Sequence, residues 1–185
     1  MNSIEKIKQQ IKDEVYNFDH IGSWFFDEHL LGVEENAIFL LKNLPEANKE
    51  MVMLGVWLHD LQRIRGIKGD HQKIGVEEAE KVLNEYGYDD EIIEKVKKMI
   101  LCHSCDNVMP KTLEEKILAS ADAMSHYYND FYLRIATLGQ RSLEEFREWS
   151  FEKLDRDYNK KIAFDFAKEK VQNNHDTLVN LFNMR

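Results

Sequence analysis

Residues that interrupt helices are scarce in this sequence. The 185 residues include only two prolines and eight glycines, and no segment alternates between polar and apolar residues as a half-buried strand does. This scarcity favours long helices over a sheet protein rich in turns. Only two cysteines are present, which excludes a fold that depends on a disulfide framework.

Long apolar runs and dense basic segments are also absent. The longest clean apolar stretch, residues 51–58, is far shorter than the roughly 20 residues that cross a bilayer, and the N-terminus lacks the apolar centre of a signal peptide. With 25 basic and 34 acidic residues, the formal net charge is −9, which is unlike that of a nucleic-acid-binding protein. We expect a cytoplasmic protein that binds neither membranes nor nucleic acid.

The sequence contains enough apolar material for one packed domain. Hydrophobic residues make up 43% and charged residues 32% of the chain, and the apolar residues recur every three or four positions, which predicts amphipathic helices. Asp70 and the pair Thr112 and Glu115 have the pattern of helix N-caps, and Gly87 that of a helix end. We expect one all-α domain over residues 1–185, with a core at about 19–128 and a helical extension at about 129–185. The expected helices cover residues 4–18, 27–42, 50–62, 70–86, 90–104 and 113–138, with two more between 142 and 184.

A histidine and an aspartate end the most apolar of these helices. His59 and Asp60 follow residues 51–58, so both side chains are expected to be buried. A buried carboxylate costs several kcal/mol unless a partner charge compensates it. A metal ion is one such partner, and adjacent helical residues about 100° apart can converge on one ion.

Four more potential ligands occupy similar positions in other helices. His103 continues the apolar stripe of its helix, Asp122 lies among small apolar residues, His29 lies near the start of the second helix, and His71 follows the N-cap Asp70. Taken singly, each histidine could be a hydrogen-bonded core residue, and Asp122 could pair with a lysine. The remaining histidines, His20, His126 and His175, match no motif and are interpreted as surface or core residues, and Cys102 and Cys105 as residues that pack at a helix end.

The ordered series His, His-Asp, His, His, Asp resembles the HD superfamily of metal-dependent phosphohydrolases, over roughly residues 19–128. The resemblance implies that His29, His59, Asp60 and Asp122 hold one metal ion. It also matches His71 and His103 to the extra histidines of members with two metals, in which the aspartate corresponding to Asp60 bridges both ions. Ser104 stands where some of those members have another histidine, so one or two ions per chain remain open. Imidazole and carboxylate ligands favour Mn, Fe, Co, Ni or Zn.

The activity that the resemblance implies is hydrolysis of a phosphate ester or anhydride in a small molecule, such as a nucleotide, with His59 and Asp60 as catalytic residues. Arg63, Arg65 and Lys68 follow the His-Asp pair and are candidate substrate-binding residues, because cationic side chains bind phosphate. Two alternatives stay open: a di-iron oxygenase of the same fold, and a non-catalytic module that binds a nucleotide or a metal. The C-terminal helices could cap the domain, cover the site or pair two subunits as a homodimer.

Overall fold

The computed structural model describes residues 2–18 and 21–183. Helices account for all the regular secondary structure in these two ranges, and no strand occurs there, so the all-α prediction is confirmed. A π-helical segment, Phe25–Leu30, leads directly into the α-helix that begins at Leu31, and a second one, Asp157–Lys161, directly follows the α-helix that ends at Arg156. The α-helices are α1 (Ser3–Asn17), α2 (Leu31–Asn43), α3 (Lys49–Leu58), α4 (Leu61–Ile64), α5 (His71–Glu85), α6 (Asp90–Cys102), α7 (Leu113–Ser125), α8 (Phe131–Thr137), α9 (Leu143–Arg156) and α10 (Asp165–Asn183).

The predicted helix boundaries hold where a capping residue marks them. The Asp70 side chain accepts hydrogen bonds from the backbone at the start of α5, and Thr112 with Glu115 forms the expected capping box of α7. Gly87, just beyond α5, has a φ of 73°, the left-handed conformation that glycine adopts most readily. These local signals therefore fix where the helices that carry the site begin and end.

The prediction of one helix over residues 113–138 is wrong, because α7 ends at Ser125 and α8 begins at Phe131. Between them, the N–H of Tyr127 donates to a carbonyl three residues back rather than four, and the Asn129 side chain accepts from the N–H of Phe131. The Asn174 side chain of α10 also donates to the Tyr127 carbonyl. The interruption is thus held in part by a distant helix.

Helix α3 forms the centre of the fold and packs against α1, α2, α6 and α7. Residues 51–58 of this helix are all buried. At Gly55 a Cβ atom would come within 2.9 Å of Met99 Cε and 3.0 Å of Leu118 Cδ2, so glycine lets α6 and α7 approach α3 closely. This packing brings the ends of several helices together beside the last turn of α3.

The C-terminal third of the described chain packs on α7. The second π-helical segment and α10 both contact α7, and α9 packs against both of them. Ser120 of α7 donates to the Lys161 carbonyl and accepts from the N–H of Ala163. None of the described helices is both long enough and apolar enough to span a membrane.

Candidate metal centre

The six predicted ligands lie together in the structure. Five of them lie at the ends of helices or within α7, and His29 lies in the first π-helical segment. They form two groups, within each of which the candidate ligand atoms are all within 4.8 Å of one another. The first group is His29, His59 and Asp122, and the second is Asp60, His71 and His103.

Asp60 connects the two groups through its two oxygens. Its Oδ2 lies 3.4 Å from His29 Nε2 and 3.6 Å from His59 Nε2, whereas its Oδ1 lies 3.1 Å from His71 Nε2. The side chain of Asp60 is 8% exposed, and that of His71 is 22% exposed. The first group is therefore buried, and the second opens towards solvent at His71.

Backbone carbonyls fix the orientation of two of the imidazoles. His59 Nδ1 lies 2.9 Å from the Val56 carbonyl oxygen, and His103 Nδ1 lies 2.6 Å from that of Ile100. Since a carbonyl can only accept, each Nδ1 carries the proton and each Nε2 presents a lone pair. His59 Nε2 is buried and, within the described part of the chain, has no hydrogen-bond partner.

The other two imidazoles are held by side chains. His71 Nδ1 lies 2.9 Å from Gln62 Oε1, and His29 Nδ1 lies 3.2 Å from Ser125 Oγ. The Ser125 hydroxyl donates its proton to the Asp122 carbonyl, so it accepts from His29. In metal-binding histidines, one ring nitrogen usually donates a hydrogen bond while the lone pair of the other nitrogen binds the metal.

The charge states also suit metal binding. Burial by itself raises the pKa of Asp60, but the electrostatic interactions with His59 and Arg63 outweigh it and hold that pKa well below its usual range. Burial lowers the pKa of His59 and lowers that of His103 to about 3. Near pH 7 the carboxylate is ionised and these two imidazoles are neutral, which are the forms that bind a metal.

The Nε2 atom of His59 is buried without a hydrogen-bond partner among the described residues. Together with the imidazole nitrogens and carboxylate oxygens around it, it forms a set of ligand atoms that a divalent transition metal prefers. The residues present therefore fit such an ion. His29, His59, Asp60 and Asp122 would hold a first ion. Asp60, His71 and His103 could hold a second.

The C-terminal segment contributes charged residues that sequence reasoning missed. Lys161, in the second π-helical segment, donates a hydrogen bond to Asp122 Oδ2. Burial by itself raises the pKa of Asp122, but the charges of Lys161 and of the nearby histidines outweigh it and hold that pKa well below its usual range. Pairing of Asp122 with a lysine, considered from the sequence as an alternative to metal binding, thus occurs at one carboxylate oxygen while the other faces the histidines.

His126 is a further buried residue beside this centre, although it matches no motif in the sequence. Its Nε2 lies 3.6 Å from Asp122 Oδ1, and its Nδ1 lies 2.9 Å from Asp157 Oδ2. Lys153 also donates to Asp157 Oδ2, at 2.9 Å. Burial lowers the pKa of His126 to about 4. The only sequence signal for this network is the four-residue spacing of Lys153, Asp157 and Lys161, which solvated helix surfaces share.

The three predicted substrate-binding cations have different surroundings. Arg63 Nε lies 3.1 Å from Asp60 Oδ1, and its side chain is 55% exposed. Arg65 instead forms ion pairs with Glu14 and Glu78 that use Nε and both terminal nitrogens, so its guanidinium is already engaged within the fold. Lys68 is exposed in the loop after α4.

Cys102, Cys105 and His175 belong to neither group. Cys102 and Cys105 are buried at the end of α6, and burial raises their pKa values to about 12 and about 11, so both are neutral thiols at pH 7. His175 of α10 packs against the ring of Tyr158. His20 lies outside the described residues.

Comparison with known proteins agrees with this arrangement. The family model of the HD domain matches residues 26–126, a range that includes all six predicted ligands. An uncharacterized protein of Methanocaldococcus jannaschii is 36% identical over 110 residues, and the match covers 51% of this chain and 63% of that protein. The chain therefore matches less than two thirds of that relative's length.

Two solved structures share the fold. An HD-superfamily hydrolase from Bacillus thuringiensis has a TM-score of 0.71 at 17% identity, over 97% of this chain and 92% of that one. A predicted HD superfamily hydrolase from an uncultured Thermotogales bacterium has a TM-score of 0.63 at 19% identity, over 96% of this chain and 87% of that one. At such identities the likeness concerns the fold alone. The family match spans more than half of the sequence, and the chain belongs to the HD domain family.

Proposed function

We propose that this protein is a metal-dependent phosphohydrolase that cleaves a phosphate ester or anhydride in a small molecule, with nucleotides as the first class to test. The observation that carries the proposal is the pair of histidine and aspartate groups joined by Asp60, one buried and one open to solvent. The names of the two structural neighbours, both HD-superfamily hydrolases, support the same class of reaction.

His59 and Asp60 are the proposed catalytic residues, because they contribute to different groups and lie next to each other at the end of α3. A bound divalent ion would supply a Lewis acid and a water molecule of lowered pKa at this position. The ionised Asp60 can hold positive charge through both oxygens. The neutral His59, fixed by the Val56 carbonyl, presents Nε2 in one orientation.

Substrate would enter on the side of His71, where the centre is open. Arg63 lies there, beside Asp60 and half exposed, and a guanidinium binds phosphate through two parallel hydrogen bonds. Lys68 is the second proposed contact, since it is exposed in the nearby loop. Arg65 is excluded from the proposed contacts because Glu14 and Glu78 already engage it.

The proposal is tested first by elemental analysis of untagged protein, together with the His59→Ala and His103→Ala variants. We expect about two ions in the wild type, loss of one in His103→Ala, and metal-dependent phosphate release from a panel of nucleotides and sugar phosphates. A count of one ion that His103→Ala leaves unchanged would reduce the site to its buried group. Phosphate release that persists in metal-free His59→Ala protein would refute the proposal.

The substrate contacts are tested by steady-state kinetics of Arg63→Ala and Lys68→Ala. We expect KM to rise or kcat to fall with metal content unchanged, since losing a hydrogen bond to a charged group costs about 1.5–3 kcal/mol. Lys73→Ala is the matched control, because Lys73 is 77% exposed and pairs with Asp70. Kinetics equal to those of this control would remove Arg63 and Lys68 from the site.

A di-iron oxygenase is the second candidate, and the presence of all six ligands in two adjacent groups favours it. Iron in the purified protein, oxygen uptake with a small-molecule substrate and no phosphate release would replace the first proposal with this one. Tight nucleotide binding without product in any metal would instead indicate a non-catalytic binding module.

A further inference from the structure

His126 faces the same carboxylate oxygen as two of the predicted metal ligands. Its Nε2 lies 3.6 Å from Asp122 Oδ1, and the corresponding distances are 3.7 Å for His29 and 3.8 Å for His59. The rings of His126 and His29 are parallel within 3°, with centroids 5.4 Å apart. His126 is 4% exposed, so the protein interior fixes its position.

Asp157 fixes which nitrogen of His126 can act as a ligand. An ionised carboxylate can only accept hydrogen bonds, and Lys153, 2.9 Å away, supplies a compensating charge. Lys153 Nζ also lies 3.2 Å from His126 Nδ1, but it is closer to Asp157 Oδ2, at 2.9 Å. A carboxylate oxygen 2.9 Å from Nδ1 requires a proton between the two atoms, so Asp157 accepts the Nδ1 proton of His126 and a lone pair is left on Nε2. This carboxylate–histidine pair has the form that supports metal-binding histidines in other proteins.

The distance of His126 from Asp122 matches that of the other donor pairs. Two ligands about 2.1 Å from the same ion lie about 3–3.8 Å apart at angles of about 90–130°. The pairs formed by Asp60 or Asp122 with His29 or His59 are separated by 3.4–3.8 Å, and the separation of His126 from Asp122 lies within that range.

We propose that His126 is an additional ligand of the buried metal ion and that Asp157 is its positioning residue. The inference rests on the metal centre of the proposed function. With His126, the buried group and the Oδ2 oxygen of Asp60 together supply three imidazoles and two carboxylates, which exceeds a tetrahedral set. The site would therefore take a five- or six-coordinate divalent ion such as Mn²⁺, Fe²⁺ or Co²⁺.

The test is Co²⁺ binding, measured by chelator competition on metal-free protein and by elemental analysis. His126→Asn retains a donor near the position of Nδ1, which can still bond to Asp157, but it lacks Nε2. We expect its affinity for the buried ion to fall at least tenfold, and that of Asp157→Asn to fall about 10- to 100-fold. The control is His175→Asn, since His175 also contacts an aspartate, Asp176, but lies away from the centre. It should bind Co²⁺ as the wild type does.

Wild-type affinity and stoichiometry in a folded His126→Asn variant would overturn the inference and leave His126 as a core residue. If this variant does not fold, a crystal structure of the Co²⁺-loaded wild type decides the question. An ion within bonding distance of His126 Nε2 supports the inference, and an ion beyond contact with it refutes the inference. Failure of the wild type itself to bind Co²⁺ would overturn the proposed function as well, whereas binding lost in His59→Ala but kept in His126→Asn would refute this inference alone.

Discussion

Replacing Lys161 with methionine should destabilise the metal-free protein by about 3–5 kcal/mol. Lys161 and Asp122 are both buried, 3% and 7% exposed in their side chains, and they are joined by a hydrogen bond. Methionine preserves most of the chain length and the apolar contacts of lysine but removes the charge. Asp122 then stays buried but loses the cation that contacts its Oδ2. Removing one partner of a buried ion pair typically costs about 3–5 kcal/mol.

Metal should reduce this penalty. The free carboxylate oxygen, Oδ1, faces His29 and His59, so a bound ion and Lys161 would both interact with Asp122. Because the ion and the Lys161 ammonium are both positive, each weakens the interaction of the other with this carboxylate. Lys161→Met should therefore bind the ion more tightly than the wild type, and its loss of stability should be smaller with saturating metal than without.

The assay is urea unfolding of the wild type, Lys161→Met, Asp122→Asn and the double variant, with and without Co²⁺. In the metal-free set, the double variant should be less destabilised than the sum of the two single variants, because it leaves no unpaired charge. A Lys161→Met variant within about 0.5 kcal/mol of the wild type, the range of ordinary surface changes, would refute the reasoning. So would a penalty that metal does not alter.

Three further predictions concern stability. Gly75→Ala should raise the unfolding free energy in urea by about 0.5–1 kcal/mol, since its Cβ would make only ordinary contacts at 3.7 Å; a decrease would show that α5 needs glycine there. A divalent ion at 100 times its dissociation constant should add about 2.7 kcal/mol and raise the wild-type Tm by roughly 5–10 °C in a thermal scan, but His59→Ala should show no such shift. Arg65→Met should lower the unfolding free energy by about 1–3 kcal/mol at pH 7 with metal content unchanged. Hydrogen bonds from Lys81 and Arg65 lower the pKa of Glu78 below its usual 4.5, so its contribution is present above that pH and lost as pH falls through the lower value in the folded protein. The deficit of Arg65→Met should shrink over that range in urea titrations at several pH values, and a constant deficit would contradict the pairing.

The helices could be predicted because their signals are local, whereas the six-residue cluster was predicted from the ordered series that resembles the HD superfamily. A period of three to four apolar residues identifies a buried helix face, and a histidine or aspartate on such a face, as at Asp60 or Asp122, stands out. The break after Ser125 could not be predicted in this way, because an asparagine of α10 helps to hold it. For the same reason, His126 resembled any other core histidine until its neighbours were known.

The charged residues of the C-terminal segment were hidden for a different reason. Lysines and aspartates spaced by four residues occur on many exposed helices as stabilising pairs, and Lys153, Asp157 and Lys161 have that spacing. All three are buried in the fold, and the segment Asp157–Lys161 packs against α7. A sequence pattern gives the face of a helix on which a charge lies, whereas burial depends on which other helix covers that face.

The charge balance of the centre connects this segment to the proposed substrate. Three buried carboxylates, Asp60, Asp122 and Asp157, are matched by three cations that contact them, Arg63, Lys153 and Lys161. The network is thus already neutral before an ion binds, as long as its histidines are neutral. A divalent ion would add two positive charges in a largely buried site, where unbalanced charge is costly, and two ions would add four. An anionic group arriving from the open side at His71 would restore the balance, and a phosphate provides both the charge and the oxygens to do so. Lys153 and Lys161, which lie outside the residues that the HD-domain model matches, therefore favour an anionic substrate over a neutral one.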